Sequence, residues 1–491
     1  MLFNSLEYLL IFLPLMTLVY ALFIRMGHKV AGIYWLIAGS FLFYTWWKVE
    51  YLLLLLGSIC FNYLAGQVIM KQRWYARWVM ILGIVVNLVI LGYYKYSQFF
   101  LGIFGLEGLL EQVILPLAIS FFTFQQIAYL VDAKQGKIED NTFRSYVLFV
   151  AFFPQLISGP IVHHKDVMSQ FSSRHEIKLT HKIIAAGITI IIIGLFKKVV
   201  LADGLAPHAN WVFELSHQGQ ALSAWLAWSG SLAYTLQIYF DFSGYSDIAI
   251  GSALLFGIQL PINFNSPYKS RSIIAFWRRW HITLSAFLRD YLYIQMGGNR
   301  KGVVNRYVFL MITMLLGGMW HGAGWIYIIW GGLHGLALVV NHLYRQQMSP
   351  GFARVAADSK MYDLGSWIMT FLFVNLTFIV FKSESVGSIL TLASSLLNFG
   401  MDLPGNILEQ AVFVIPGPGW LTLLLVLLLC VVVKTFPNTQ EVMDYQQNHN
   451  YASTSSWNPG IWFTAIITLM VFISLFKIIG NGYSEFIYRF F

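Results

Sequence analysis

Uninterrupted apolar runs recur from one end of this chain to the other, each close to the ~20 residues a helix needs to cross the hydrocarbon core of a bilayer. They cover 6–24, 31–47, 51–70, 78–94, 182–200, 324–343 and 460–479. Inside lipid every backbone N–H and C=O must find its partner within the protein, so runs of this kind fold as helices, and roughly eleven to thirteen spans or part-spans fit along the chain. Only 11% of the 491 residues are charged and 58% are hydrophobic, against about 25% charged in a soluble domain. No charge run or Pro/Ser-rich linker divides the sequence, and no fixed-period repeat is present. The expected fold class is therefore an all-α polytopic membrane protein, one membrane-embedded body over 1–491 with shorter re-entrant pieces.

Short loops give the orientation. Arg25 and Lys29 flank the first loop and Lys71, Arg73 and Arg77 the third, against Lys48 in the second and Lys95 in the fourth. Basic residues collect on the cytoplasmic side, which predicts an outward-facing amino terminus. The same anchors account for the formal net charge of +9, and with no solvated basic domain nucleic acid is not an expected partner. The first run carries Glu7 with no basic residue before it and no small-residue cleavage pattern after it, so it is expected to be a retained helix. Cys60 and Cys430 stand in separate apolar runs, which argues against a disulfide framework, a metal site or a thiol nucleophile.

One histidine stands out. His321 lies in MLLGGMWHGAGWIYIIWGGLHG, deep within apolar sequence, and an ionisable side chain at membrane depth is costly unless it faces a polar cavity. Imidazole alone titrates near neutrality, which makes His321 a candidate general base. Other apolar segments are interrupted: Gln125 and Gln126 in 116–132, Pro154, Gly159 and Pro160 in 152–162, Asp241 and Asp247 in 239–251. Irregular backbone at membrane depth needs surrounding protein or a water-filled space. A polar tunnel lined by Trp320, Asp241, Asp247, Gln125 and Gln126 is the expectation.

Residues 269–301 carry seven basic side chains against the single acid Asp290. At about 100° per residue, Arg278, Ile282, Ser285 and Arg289 form one helical stripe and Trp277, His281, Leu284 and Leu288 a more apolar neighbour, which predicts an amphipathic interfacial helix. Its guanidinium groups could simply reach lipid headgroups, or they could fork onto the phosphates of a soluble donor such as a coenzyme A thioester. On the second reading Arg278, Arg279, Ser285, Arg289, Trp277 and Trp280 hold the donor, and GGNRKG at 297–302 adds a tight turn.

The blocks FWRRWHITLSAFLRDYLYIQMGGNRKG and MLLGGMWHGAGWIYIIWGGLHG resemble the signature of the membrane-bound O-acyltransferases, in particular the bacterial branch that O-acetylates alginate. MLFNSLEYLLIFLPL, LPLAISFFTFQQIAYLVD, FFPQLISGPIVHHKDVMSQF and YFDFSGYSDIAIGSALLFGIQLPINFNSPY extend the resemblance over most of 1–345. It implies a helical bundle around a central tunnel, His321 as the catalytic residue and His281 as a second functional histidine. It also implies a cytoplasmic acetyl-CoA donor with no tightly bound cofactor, and a bacterial inner membrane. The acetyl group would go to an exported polysaccharide, alginate-like or peptidoglycan, or to a periplasmic acetyltransferase or esterase-like partner. Phe287, where tryptophan is more usual, and His163, where arginine is more usual, depart from the pattern.

Other readings stay open at this point. Intramembrane carboxylates such as Asp241 and Asp247 also mark ion pathways, so a polysaccharide or lipid transporter without transfer chemistry is the main alternative, and an inert scaffold is a third. His281 among tryptophans could be an aromatic-belt residue. His334 is expected to be structural.

Overall fold

Apolar runs of this length satisfy their own backbone, and the computed structural model is helical throughout, with no strand among the residues it describes. Those are residues 1–106, 114–157, 159–162, 164–171, 179–349, 359–400, 419–443, 459–481, 484 and 486–487, with backbone alone at 165, 166, 419–421 and 481. Eight of the described helices are long and apolar enough to cross a membrane, and Val386–Ser395 and Thr422–Thr435 are shorter apolar ones. Six of the seven sequence runs coincide with these spans, while 31–47 forms the 17-residue helix Lys29–Thr45.

The longest of the described helices, the 31 residues Ala224–Leu254, falls outside the apolar runs for a physical reason. Its Ser229, Ser231, Thr235, Gln237, Asp241, Ser243, Ser246, Asp247 and Ser252 lower its hydropathy, yet all are buried. This helix is enclosed by protein, so its polar side chains meet protein groups instead of lipid.

Contacts divide the chain into two units, one of Met1–Phe196, Gly244–Ile262 and Met443–Phe491, the other of Lys197–Ser243 and Asn263–Val442. In the first unit, Tyr51–Met70, Ala76–Leu91 and Ile119–Lys134 pack around buried amides. Gln126 Oε1 accepts from Ser58 Oγ at 3.2 Å and from the Asn62 amide, and Asn87 Nδ2 donates to Asn62 Oδ1 at 2.7 Å. Such interhelical bonds join helices where lipid offers no hydrophobic drive to do so. Glycines bring other helices together: a Cβ on Gly187 would lie 2.9 Å from the Gly251 carbonyl oxygen, and one on Gly251 2.6 Å from that of Gly187.

The second unit holds the spans Val303–His321, Trp325–Gln347 and Lys360–Lys382. The first two form a hairpin whose backbones touch. A Cβ on Gly318 would lie 2.2 Å from the Tyr327 carbonyl oxygen, and one on Gly331 2.3 Å from that of Met314. Small residues at a crossing permit this approach, and here they bring the end of the His321 helix against its neighbour.

Candidate active site

His321 is the last residue of Val303–His321, and the chain continues through extended Gly322 and Gly324 before the next helix starts at Trp325. A Cβ on Gly322 would come within 2.1 Å of the Tyr327 ring, so glycine closes this turn by leaving that space empty. The imidazole, 2% exposed, sits in an aromatic box: ring centroids of Trp320, Trp330 and Phe381 lie 4.9, 5.1 and 5.4 Å away, all edge-on.

The expected amphipathic helix over 269–301 is not continuous. It divides into Ile273–Trp277, capped by Ser272 Oγ, and Ile282–Phe287, followed by a wider π turn over Leu288–Tyr293. The break falls on His281, whose φ of 43° lies in the left-handed region. A non-glycine residue held there needs over-determining neighbours. Asn263 supplies them: its carbonyl accepts from the Ile282 N–H at 3.0 Å, and its Oδ1 from the Thr283 N–H at 3.3 Å and the Thr283 hydroxyl at 3.0 Å. The helical-wheel stripe therefore does not form, because periodicity carries no trace of a left-handed residue within it.

The same clasp sets the chemistry of His281. A backbone N–H can only donate, so the Thr283 bond identifies the Asn263 atom as an oxygen. His281 Nδ1, 3.1 Å from that oxygen, is then the protonated ring nitrogen. Nε2 is left with a lone pair, buried and without a hydrogen-bond partner among the described residues, as is Asn263 Nδ2. Burial pulls the pKa of His281 down to about 3, so the ring is neutral. Nε2 can accept a proton or a hydrogen bond, and in this tautomer it cannot donate to a carbonyl. Phe242 lies edge-on at 4.7 Å and Trp320 at 6.0 Å. His281 and His321 thus pack against the same indole.

His334 is held by the Trp277 indole, which donates to its Nδ1 at 3.3 Å. Indole N–H is a donor only, so the proton of neutral His334 sits on Nε2. That Nε2–H and the Trp330 Nε1–H are both buried without partners among the described residues. The two rings are 4.7 Å apart, and Trp330 also faces His321.

The remaining candidates have differing surroundings. Trp280, 1% exposed, is enclosed by Phe264, Tyr268, Phe276 and Phe378. Arg278 is exposed, Arg279 half-buried, and Ser285 half-buried with a hidden hydroxyl. Arg289 forms a forked pair with Asp290 at 2.6 and 2.9 Å. Asp241 pairs with Lys198 at 2.5 Å, and Lys198 also meets Asp203 at 2.9 Å. Gln125, Gln126 and Asp247 belong to the first unit, where Gln126 joins the amide cluster. His163 lies outside the described residues. No group of three His, Cys, Asp or Glu side chains suited to a metal occurs among those described.

Sequence reading missed Lys198 and Asn263. Lys198 looked like the end of an apolar run, and the one available signal for Asn263 was an asparagine inside the apolar LPINFN.

The signature of the membrane-bound O-acyltransferase family matches residues 30–382. The chain belongs to that family. It is similar to the peptidoglycan O-acetyltransferase of Helicobacter pylori, 45% identical over 426 residues covering 79% of this chain and 78% of that protein. It is also similar to the probable alginate O-acetylase AlgI of Pseudomonas aeruginosa, 41% identical over 415 residues, 82% of this chain and 75% of the relative. The AlgI protein of Pseudomonas putida is 37% identical over 512 aligned positions, 99% of each chain. The protein is thus a multi-pass membrane O-acyltransferase, and the transporter and scaffold readings are set aside.

Proposed function

We propose that this acyltransferase moves an acetyl group from acetyl-CoA on the cytoplasmic side of a bacterial inner membrane to a hydroxyl of a cell-envelope polysaccharide. The acceptor is peptidoglycan or an alginate-like polymer, reached directly or through a periplasmic partner transferase. The observation that carries this reading is the pair of enclosed histidines, His321 and His281, packed against one tryptophan. The names of the relatives supply the acetyl group and the polymer class.

In this mechanism neutral His321 takes the proton of the acceptor hydroxyl as its oxygen attacks the thioester carbon. The C–O bond forms, the C–S bond breaks, and the proton passes from His321 to the departing sulfur. Charge that develops on the carbonyl oxygen is met by the Trp330 and His334 N–H groups, donors with no acceptor among the described residues. His281 Nε2 accepts a hydrogen bond from the acceptor hydroxyl's sugar or from the donor and so orients it, without taking the proton. The arginines at 278, 279 and 289 face the donor's phosphates, with Arg289 exchanging Asp290 for phosphate.

The test is transfer of labelled acetyl from acetyl-CoA to polysaccharide by the purified protein in liposomes. His321→Ala should lower the rate by about 10²- to 10⁴-fold while leaving donor binding intact. Undiminished transfer by that variant would remove His321 from the chemistry, and absence of acetyl-CoA turnover by the wild type would remove the donor.

A further inference from the structure

The first unit carries a cavity of about 320 Å³ that the transfer chemistry does not use. This is near the lower end of small-ligand pockets, about 300–1,000 Å³. Tyr34, Ile37 and Phe41 of Lys29–Thr45 form one wall and Leu56 and Ile59 of Tyr51–Met70 another, with Val147 and Arg144 completing it. Tyr34 to Phe41 covers about two helical turns, or ~10 Å, and Leu56 and Ile59 stand on the second and third turns of a membrane span. The wall is thus at hydrocarbon depth, where the surrounding medium is acyl chain.

One end of this apolar slot is cationic. Arg144 is the second residue of the helix Phe143–Ala151, and its Nε is buried with no hydrogen-bond partner among the described residues. Its nearby acid is occupied: Asp140 accepts from the Thr142 N–H at 3.0 Å and the Ser145 hydroxyl at 2.9 Å. Tyr63 places this end. Its hydroxyl donates to the Asn141 carbonyl at 2.9 Å, and Phe143 lies edge-on to its ring at 5.0 Å. Arg144 therefore lies toward the end of the span that runs into the basic residues Lys71 and Arg73.

We propose that this groove is a binding site for an anionic phospholipid, with one acyl chain between the 29–45 and 51–70 helices and the phosphate on the Arg144 guanidinium. An apolar slot ending in a guanidinium whose Nε has no partner among the described residues matches a chain ending in a phosphodiester, and the basic rim favours a headgroup with net negative charge. The inference is independent of the histidine site.

Native mass spectrometry of the full-length protein in mild detergent tests it, with palmitoyl-oleoyl phosphatidylglycerol and phosphatidylcholine as probes. One phosphatidylglycerol should be retained in preference to phosphatidylcholine, and Arg144→Gln should cut that preference by about fivefold. Arg144→Lys should keep most of it. Leu56→Trp, at a half-buried lining position, fills the slot and leaves the charge alone, so it should weaken retention of both lipids. Equal retention by wild type and Arg144→Gln, or unchanged retention by Leu56→Trp, would overturn the assignment. Should Arg144→Gln fail to fold, the Leu56→Trp and Arg144→Lys results decide the question.

Discussion

Lys198 and His281 are both ionisable, both almost wholly withdrawn from solvent at 1% and 0% exposure, and the fold treats them in opposite ways. The lysine is matched by carboxylates at 2.5 and 2.9 Å. The histidine has one nitrogen fixed by Asn263 and the other left without a partner among the described residues. A buried charge is tolerable when its counter-charge is built in, whereas a buried lone pair facing no donor has an affinity to spend on something that arrives. Lys198 reads as architecture on this contrast, and His281 as chemistry.

The sharpest way to break the contrast is to remove one member of the matched pair. Lys198→Met strands Asp241 in the interior and should cost about 3–5 kcal/mol of stability, seen as a large fall in the thermal midpoint of the purified protein. Lys198→Met combined with Asp241→Leu should recover much of that loss. If the single change is harmless, the ion pair is not what holds this region.

Next in size is a change on the chemical side. Trp330→Phe keeps an aromatic ring, smaller than the indole, beside His321 but removes the N–H. Removing one donor to a developing oxyanion lowers turnover by about 10²-fold, here with kcat falling while the KM for acetyl-CoA and the thermal midpoint stay near wild type. A change confined to stability would make Trp330 a packing residue.

The smallest effect concerns orientation. Asn263→Leu leaves His281 Nδ1 without its acceptor, and a lost buried hydrogen bond of about 1–3 kcal/mol should slow transfer roughly 5- to 100-fold, with Asn263→Asp restoring part of the rate. The pH profile separates the two. In the wild type burial holds the His281 pKa at about 3, so the ring stays neutral and contributes no loss of rate between pH 7 and 4. A carboxylate at 263 raises that pKa, so His281 protonates at higher pH and the acid limb of the Asn263→Asp profile should move upward. An unshifted limb would argue that His281 does not titrate in the reaction.

Much of the fold was legible because hydropathy over about 20 residues is a local property. The runs at 51–70 and 324–343 could be placed from sequence alone, and His321 was visible as one polar residue in the wrong solvent. His334 was expected to be structural from its setting; the structure adds the Trp277 bond to its Nδ1 and an Nε2–H with no acceptor among the described residues. Pairings across the chain were not legible. Asp241 looked like a tunnel carboxylate because its partner Lys198 is 43 positions away, and the 269–301 segment looked like one helix because a backbone turn at His281 leaves the residue pattern unchanged. Glycine doublets were visible, but which backbone each would meet was not.

The crossing of Gly318 and Gly331 has one more consequence. Where the two rods touch main chain to main chain at this crossing, no rotamer can take up a displacement there, so the imidazole one turn beyond it takes its coordinates largely from the peptide skeleton. The lipid-facing skin of both rods can then be exchanged residue by residue to suit a thicker or more anionic bilayer without disturbing the reactive ring.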